Sequence, residues 1–81
     1  MKVSVRFICS EIVGNARNGE YEVPERGTVS DLMKIAEEQN KTFLPDYAQH
    51  VIFMVNSKRA VPETVLSEND RVTVLRLVYG G

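Results

Sequence analysis

Few groups in this chain are suited to chemistry: the thiol of Cys9, the imidazole of His50, the polar run Ser67-Glu68-Asn69-Asp70, and the carboxylate that follows Gly80 and Gly81. A thiol needs a base to become a thiolate nucleophile, so Cys9 and His50 are the one formally available nucleophilic pair. Cysteine is among the most commonly buried residues, and Cys9 directly follows a strand-like run, which favours packing over catalysis. The same two residues supply half of a usual zinc shell, and no carboxylate is spaced to complete it. A lone cysteine also excludes an intramolecular disulfide and a CxxC redox pair. "SEND" is too short for a calcium loop and reads as a turn before a strand. No GxxxxGK or GxGxxG motif is present, so where ATP is used another protein must bind it. That leaves the ending "RLVYGG". Glycine loses the most backbone entropy in a strand and brings no side chain to pack, so two glycines after an apolar run serve something other than sheet stability.

Whatever positions these groups must be small. The 81 residues allow one domain, with 43% hydrophobic and 26% charged residues, ordinary values for a globular chain. Ten Lys and Arg against eleven Asp and Glu leave a net charge of -1, so no global basic field draws the domain to nucleic acid or anionic lipid. No apolar run approaches the roughly 18 residues of a membrane span, and the opening "MKVSVRFICSE" alternates too strongly for a signal-peptide core. These features predict a cytoplasmic protein with neither nucleic-acid nor membrane partners.

From Lys2 to Ile8 the chain alternates, with Val3, Val5 and Phe7 on one side and Lys2, Ser4, Arg6 and Ile8 on the other, the pattern of a half-buried strand. After a polar stretch, "EYEVPE" alternates again and pairs Tyr21 with Val23 before Pro24 stops the ladder. The period then changes. Val29, Leu32, Met33 and Ala36 fall on one stripe of a helix from about Val29 to Gln39, with Thr28 as N-cap and Asp31 at the capping-box position. Pro45 breaks "KTFLPDYAQH" into a packed loop. "VIFMVN" is a strand, "SKRAV" turns and pairs briefly, and "RVTVLRLVY" is the last and most strand-prone run. One helix across one face of a mixed sheet, in the order strand, strand, helix, strand, short strand, strand, is an α+β architecture that fits a β-grasp. Residues 1–81 read as a single such domain, with 79–81 as a flexible C-terminal tail.

The same alternation assigns a second face. With Val72, Val74 and Val78 toward the helix, Thr73, Leu75, Leu77 and Tyr79 lie on the opposite side, where Ile8 and one of Ile52 or Met54 join them. An uncovered sheet face bearing Ile8, Ile52, Met54, Leu75, Leu77 and Tyr79 marks a partner-binding patch, unless a loop such as 41–50 folds over it.

The opening "KVSVRFICSEIVG", the helix "TVSDLMKIAEE", the stretch "VNSKRAV" and above all the closing "LSENDRVTVLRLVYGG" resemble the ThiS and MoaD family of small ubiquitin-like sulfur carriers, over essentially the whole chain. The resemblance implies a ubiquitin-like β-grasp that acts as carrier or cosubstrate rather than enzyme, and that can also serve as the small subunit of a synthase complex. It implies that a ubiquitin-activating-type adenylyltransferase uses ATP to adenylylate the Gly81 carboxylate. Sulfur from a persulfide donor then gives a C-terminal thiocarboxylate for molybdopterin or tungstopterin, or thiamin, biosynthesis. Gly80 supplies the flexibility that brings Gly81 to the partner's nucleotide, and no cofactor is bound by the chain itself. Molybdopterin-synthase small subunits commonly carry a proline-containing stretch before the glycines, where this chain reads Arg76-Leu77. Two other readings use the same residues: a protein modifier joined to target lysines through Gly81, and a plain interaction module.

Overall fold

The computed structural model describes residues 1–8, 17–41 and 51–76. In chain order these form β1 (Lys2–Phe7), β2 (Gly19–Glu22), α1 (Val29–Asn40), β3 (Val51–Val55), β4 (Lys58–Ala60) and β5 (Arg71–Arg76). The five strands make one mixed sheet in the order β2-β1-β5-β3-β4. β1 and β5 run parallel at its centre, and every other neighbouring pair is antiparallel. Among the described residues the elements follow the expected order, with one helix. Cys9, His50, Leu77, Val78, Tyr79, Gly80 and Gly81 lie outside the described residues, as does the expected loop beyond Lys41.

Alternation does the folding work in β1. Val3, Val5 and Phe7 are buried while Lys2, Ser4 and Arg6 face out. Register carries this parity across the sheet: Val5 lies opposite Val72, Phe7 opposite Val74, and Phe53 opposite both Val74 and Ala60. The α1 stripe closes the other side of this layer, with Val29, Leu32, Met33 and Ala36 all fully buried. Burying one such Leu or Met side chain contributes about 1.5–3 kcal/mol, so the stripe alone is a large part of a small domain's margin.

The helix start is satisfied at every donor. Thr28 Oγ1 accepts from the Asp31 N–H at 3.2 Å, and the Asp31 carboxylate accepts from the Thr28 N–H at 2.9 Å, completing the expected capping box. The N–H groups of Val29 and Ser30 donate to the carbonyls of Thr64 and Pro62, at 3.0 and 2.9 Å. Thus the segment before β5 serves as a cap for a helix more than thirty residues earlier. The helix runs one residue beyond the expected Gln39, because Asn40 Nδ2 donates both to the Ala36 carbonyl and to the Tyr21 hydroxyl, at 2.9 and 2.8 Å. Lys41 then ends it in the left-handed region, at φ 50°.

"SEND" is a turn, as its composition suggests. Asn69 takes φ 67°, the Asp70 carboxylate accepts from the Ser67 N–H at 2.7 Å and from Asn56 Nδ2 at 2.9 Å, and Asn56 Oδ1 accepts from the Arg71 N–H at 2.9 Å. On its other side the Asn69 N–H donates to the Lys2 carbonyl and the Ser4 N–H to the Asp70 carbonyl, at 2.8 and 2.9 Å. One turn therefore seats the start of β5 against β1 and β3 together.

Two measurements check these contacts. Gly27 donates to the Pro24 carbonyl, and a Cβ there would stand 2.4 Å from Val23 Cγ1 and 2.9 Å from the Pro24 oxygen. Since Val23 is itself in the core, Gly27→Ala is expected to lower stability in urea unfolding by about 1–3 kcal/mol, as overpacked sites do. Hydrogen bonds from Thr28, first from its backbone and then from its side chain, hold the Asp31 carboxyl below its ordinary value of 3.8. A carboxyl depressed on folding stabilises above its unfolded pKa, and that contribution fades as pH falls through the folded one. The stability gap between the native chain and Asp31→Ala should be constant at neutral pH and narrow once pH drops below the ordinary carboxylate range, read by urea unfolding across pH.

Candidate functional site

The sheet face opposite α1 is laid out in rows that cross the strands. β5 bonds to β3 with Leu75 opposite Ile52 and Thr73 opposite Met54. On its other side the parallel register sets Thr73 beside Arg6 and Arg71 beside Ser4. The Ile8 N–H donates to the Val74 carbonyl at 2.9 Å, carrying the pairing one residue beyond β1 and bringing Ile8 level with Leu75. The uppermost row is therefore Ile8, Leu75, Ile52. The next is Arg6, Thr73, Met54, Arg59, since Met54 lies opposite Arg59 on β4. Below it stand Glu20, Ser4 and Arg71, and then Glu22 and Lys2.

This places four of the expected patch residues on one face. Ile8 is 56% exposed, and Ile52, Met54 and Leu75 are half-buried in the sheet surface. Where the alternation left a choice between Ile52 and Met54, both belong, because the β3 residues turned to the core are Val51 and Phe53. Leu77, Tyr79, Gly80 and Gly81 fall outside the described residues, so the face is described as far as Leu75. β5 rises through the apolar row toward that end, which sets the patch beside the start of the C-terminal segment.

The arginines of this face were not singled out as site residues from sequence, although the same parity places them. Arg6 shares the side of Ile8, and Arg71 shares the side of Thr73 and Leu75. With Asn56, Ser57, Asn69 and Thr73 they line a concavity of about 570 Å³ at the foot of β5. Its wall is fixed by the Asn56–Asp70 hydrogen bond and by left-handed backbone at Asn56, Ser57 and Asn69. Acidic groups border it as well: the Asp70 carboxylate is bonded to Asn56 in its wall, the Glu68 carboxylate accepts from the Lys2 N–H, and Glu20 and Glu22 stand on β2. The face thus grades from apolar at the end of β5 to a polar corner bearing two arginines at its start.

Other chemistry is sparse. Among the described residues no group of three or more His, Cys, Asp or Glu is placed to hold a metal ion. Among them, too, no helix is long and apolar enough to cross a membrane.

A profile of the ThiS family matches residues 9–81. No curated protein sequence matches the chain significantly. Among solved structures the chain is similar to SAMP1 from Haloferax volcanii, with 16% identity, a TM-score of 0.79 and full coverage of both chains. It is similar also to a protein described as molybdopterin converting factor, subunit 1, from Pyrococcus furiosus, at 24% identity and a TM-score of 0.75, covering 96% of this chain and 99% of that one. A ubiquitin-like protein from Caldiarchaeum subterraneum is 16% identical with a TM-score of 0.53, over 99% of this chain and 100% of the other. At such identities the likeness is one of fold, a ubiquitin-like β-grasp. With the family profile running from Cys9 through Gly81, over the helix and four of the five strands, the chain belongs to the ThiS family.

Proposed function

We propose that this protein is a sulfur carrier whose Gly81 carboxylate is activated by a ubiquitin-activating-type adenylyltransferase and converted to a thiocarboxylate. The observation that carries the reading is the ThiS-family match extending to the terminal Gly80-Gly81. An α-carboxyl group with a reference pKa of about 3.5 is ionised at neutral pH and is a poor electrophile. Attack of that carboxylate on the α-phosphorus of ATP expels pyrophosphate and leaves a mixed anhydride, with AMP as leaving group. A donor persulfide then attacks the acyl carbon and releases AMP. A thiol of the partner cleaves the new S–S bond, so that the partner keeps a disulfide and Gly81 keeps the sulfur. The chain is a cosubstrate in these steps rather than an enzyme, and the ATP is bound by the partner.

Gly80 and Gly81 suit the task because backbone without a Cβ can enter a narrow channel in conformations closed to other residues. Ordering a tail of this kind opposes binding, so the docking energy has to come from elsewhere. The apolar row Ile8, Leu75 and Ile52 lies beside the chain that leads to it. The likeness to a molybdopterin converting factor subunit favours delivery of sulfur to a pterin, with the protein seated as small subunit against a synthase. The likeness to SAMP1, a small archaeal modifier protein, supports a second reading in which a target lysine amine attacks the activated Gly81 and forms an isopeptide bond.

Intact mass after incubation with the activating enzyme of the same organism, ATP and a sulfur donor distinguishes these outcomes. A gain equal to one oxygen exchanged for sulfur is the expected result, target-sized adducts would establish the modifier, and an unchanged mass would exclude both. Deleting Gly81 should abolish ATP–pyrophosphate exchange while leaving the thermal transition in place. Leu75→Glu should raise the KM for the protein in that exchange by about tenfold, the loss of one hot-spot contact, without unfolding a side chain that lies outside the core.

A further inference from the structure

The basic concavity below the apolar row has no role in the activation chemistry, and its composition is specific. Arg6 and Arg71 project from neighbouring strands, one register step apart on the diagonal, and both are exposed. Both positive charges on this diagonal would favour an anion placed between them. The carboxylate nearest in sequence, Asp70, is committed to the Ser67 N–H and to Asn56 Nδ2. Glu20, opposite Ser4, is a diagonal neighbour of Arg6 across β1 and β2 and lies two strands, roughly 10 Å, from Arg71. Among the described residues the only ion pair links the Met1 amine to Glu22, so neither guanidinium is in ion-pair contact with a described carboxylate.

We infer that Arg6 and Arg71 form a docking site for an acidic segment of the protein partner, a stretch with two or more carboxylates that enters the concavity while adjacent apolar side chains cover Ile8, Leu75 and Ile52. The inference rests on the docking reading above and gives that partner a chemistry. Guanidinium forks match carboxylates in bidentate geometry, and the Asn69 amide and the Ser57 and Thr73 hydroxyls add donors around them. Charge also orients the partner. An acidic segment has to set its carboxylates between Arg6 and Arg71 and clear of Asp70, Glu20 and Glu22, which favours one placement over the apolar row. The site is an ionic clamp beside an apolar anchor, and the clamp should govern association rate and salt sensitivity more than the reaction itself.

The double variant Arg6→Gln/Arg71→Gln, compared with the native chain in ATP–pyrophosphate exchange by the activating enzyme, tests this. The expected result is a KM for the protein raised by about tenfold at low salt, with kcat within about twofold, and a loss of most of the salt dependence seen with the native chain. An unchanged KM with unchanged salt dependence overturns the clamp while leaving the carrier reading standing. If the native chain supports no exchange at all, the carrier reading fails, and the site is decided by NMR titration of the native protein. There the probes are an acetylated peptide Asp-Leu-Glu-Glu-Leu, its Asn and Gln counterpart, and inorganic phosphate. Shifts at Arg6, Ser57 and Arg71 that saturate with the acidic peptide alone, and vanish in the double variant, support the site. Equal shifts from the neutral peptide, saturation by phosphate at the same concentration, or no shifts with any probe overturn it.

Discussion

The parallel pairing of β1 with β5 is the constraint on which the remainder of this structure depends. These strands lie far apart in sequence, and closing that interval costs more chain entropy than any hairpin in the sheet. What offsets the cost is shared parity. With Val5 beside Val72 and Phe7 beside Val74, both central strands bury their apolar set against α1 at once. A slip of one residue would expose Val72 and Val74 and drive Thr73 and Leu75 into the core. The register that builds the core is therefore the register that builds the outer face, and neither can change alone.

That register is set by polar contacts at the strand ends. The turn at Ser67–Asp70 is held on one side to the backbone of β1 and on the other to Asn56 after β3, so β5 enters the sheet already placed between its two partners. Upstream, the carbonyls of Pro62 and Thr64 occupy the N–H groups at the start of α1, and the Leu66 N–H donates to the Gly27 carbonyl at 2.8 Å. The segment between β4 and β5 has little regular structure, yet it ties helix to sheet. Its irregular backbone costs little because almost every polar group that it presents inward finds a partner.

Much of this was legible in the sequence, for reasons that differ between elements. α1 was readable because a helical stripe and a capping box are local: Thr28, Asp31 and the four buried residues of the stripe lie within nine positions of one another. The face assignments followed from period-two alternation, which needs only a strand without a bulge. The last residue of the helix was missed because the hydrogen bond from Asn40 to Tyr21 is a tertiary contact between distant segments. The role of Asn56 was equally hidden, since its bonds to Asp70 and Arg71 cross between strands. Arg6 was assigned to the correct face, but Arg71 was given none and the two were not linked, because only the offset of the parallel register makes them neighbours. Composition could not reveal them either: a net charge of -1 averages a basic corner against an acidic edge.

The division of the C-terminal sequence follows from the same physics. A strand contributes to stability through side chains that pack, and from Arg71 to Leu75 each residue either enters the core or joins the outer face. Glycine brings no side chain to do either, and it loses the most entropy when ordered. In the proposed reaction that loss falls at the moment of docking, when the acyl carbon must reach the nucleotide. A surface able to offset it has to be rigid beforehand, near the tail, and rich enough in contacts to carry the complex. The row of Ile8, Leu75 and Ile52, backed by fully buried Val72 and Val74, meets those conditions because it is the reverse side of the core. Stability and the proposed docking thus draw on one register.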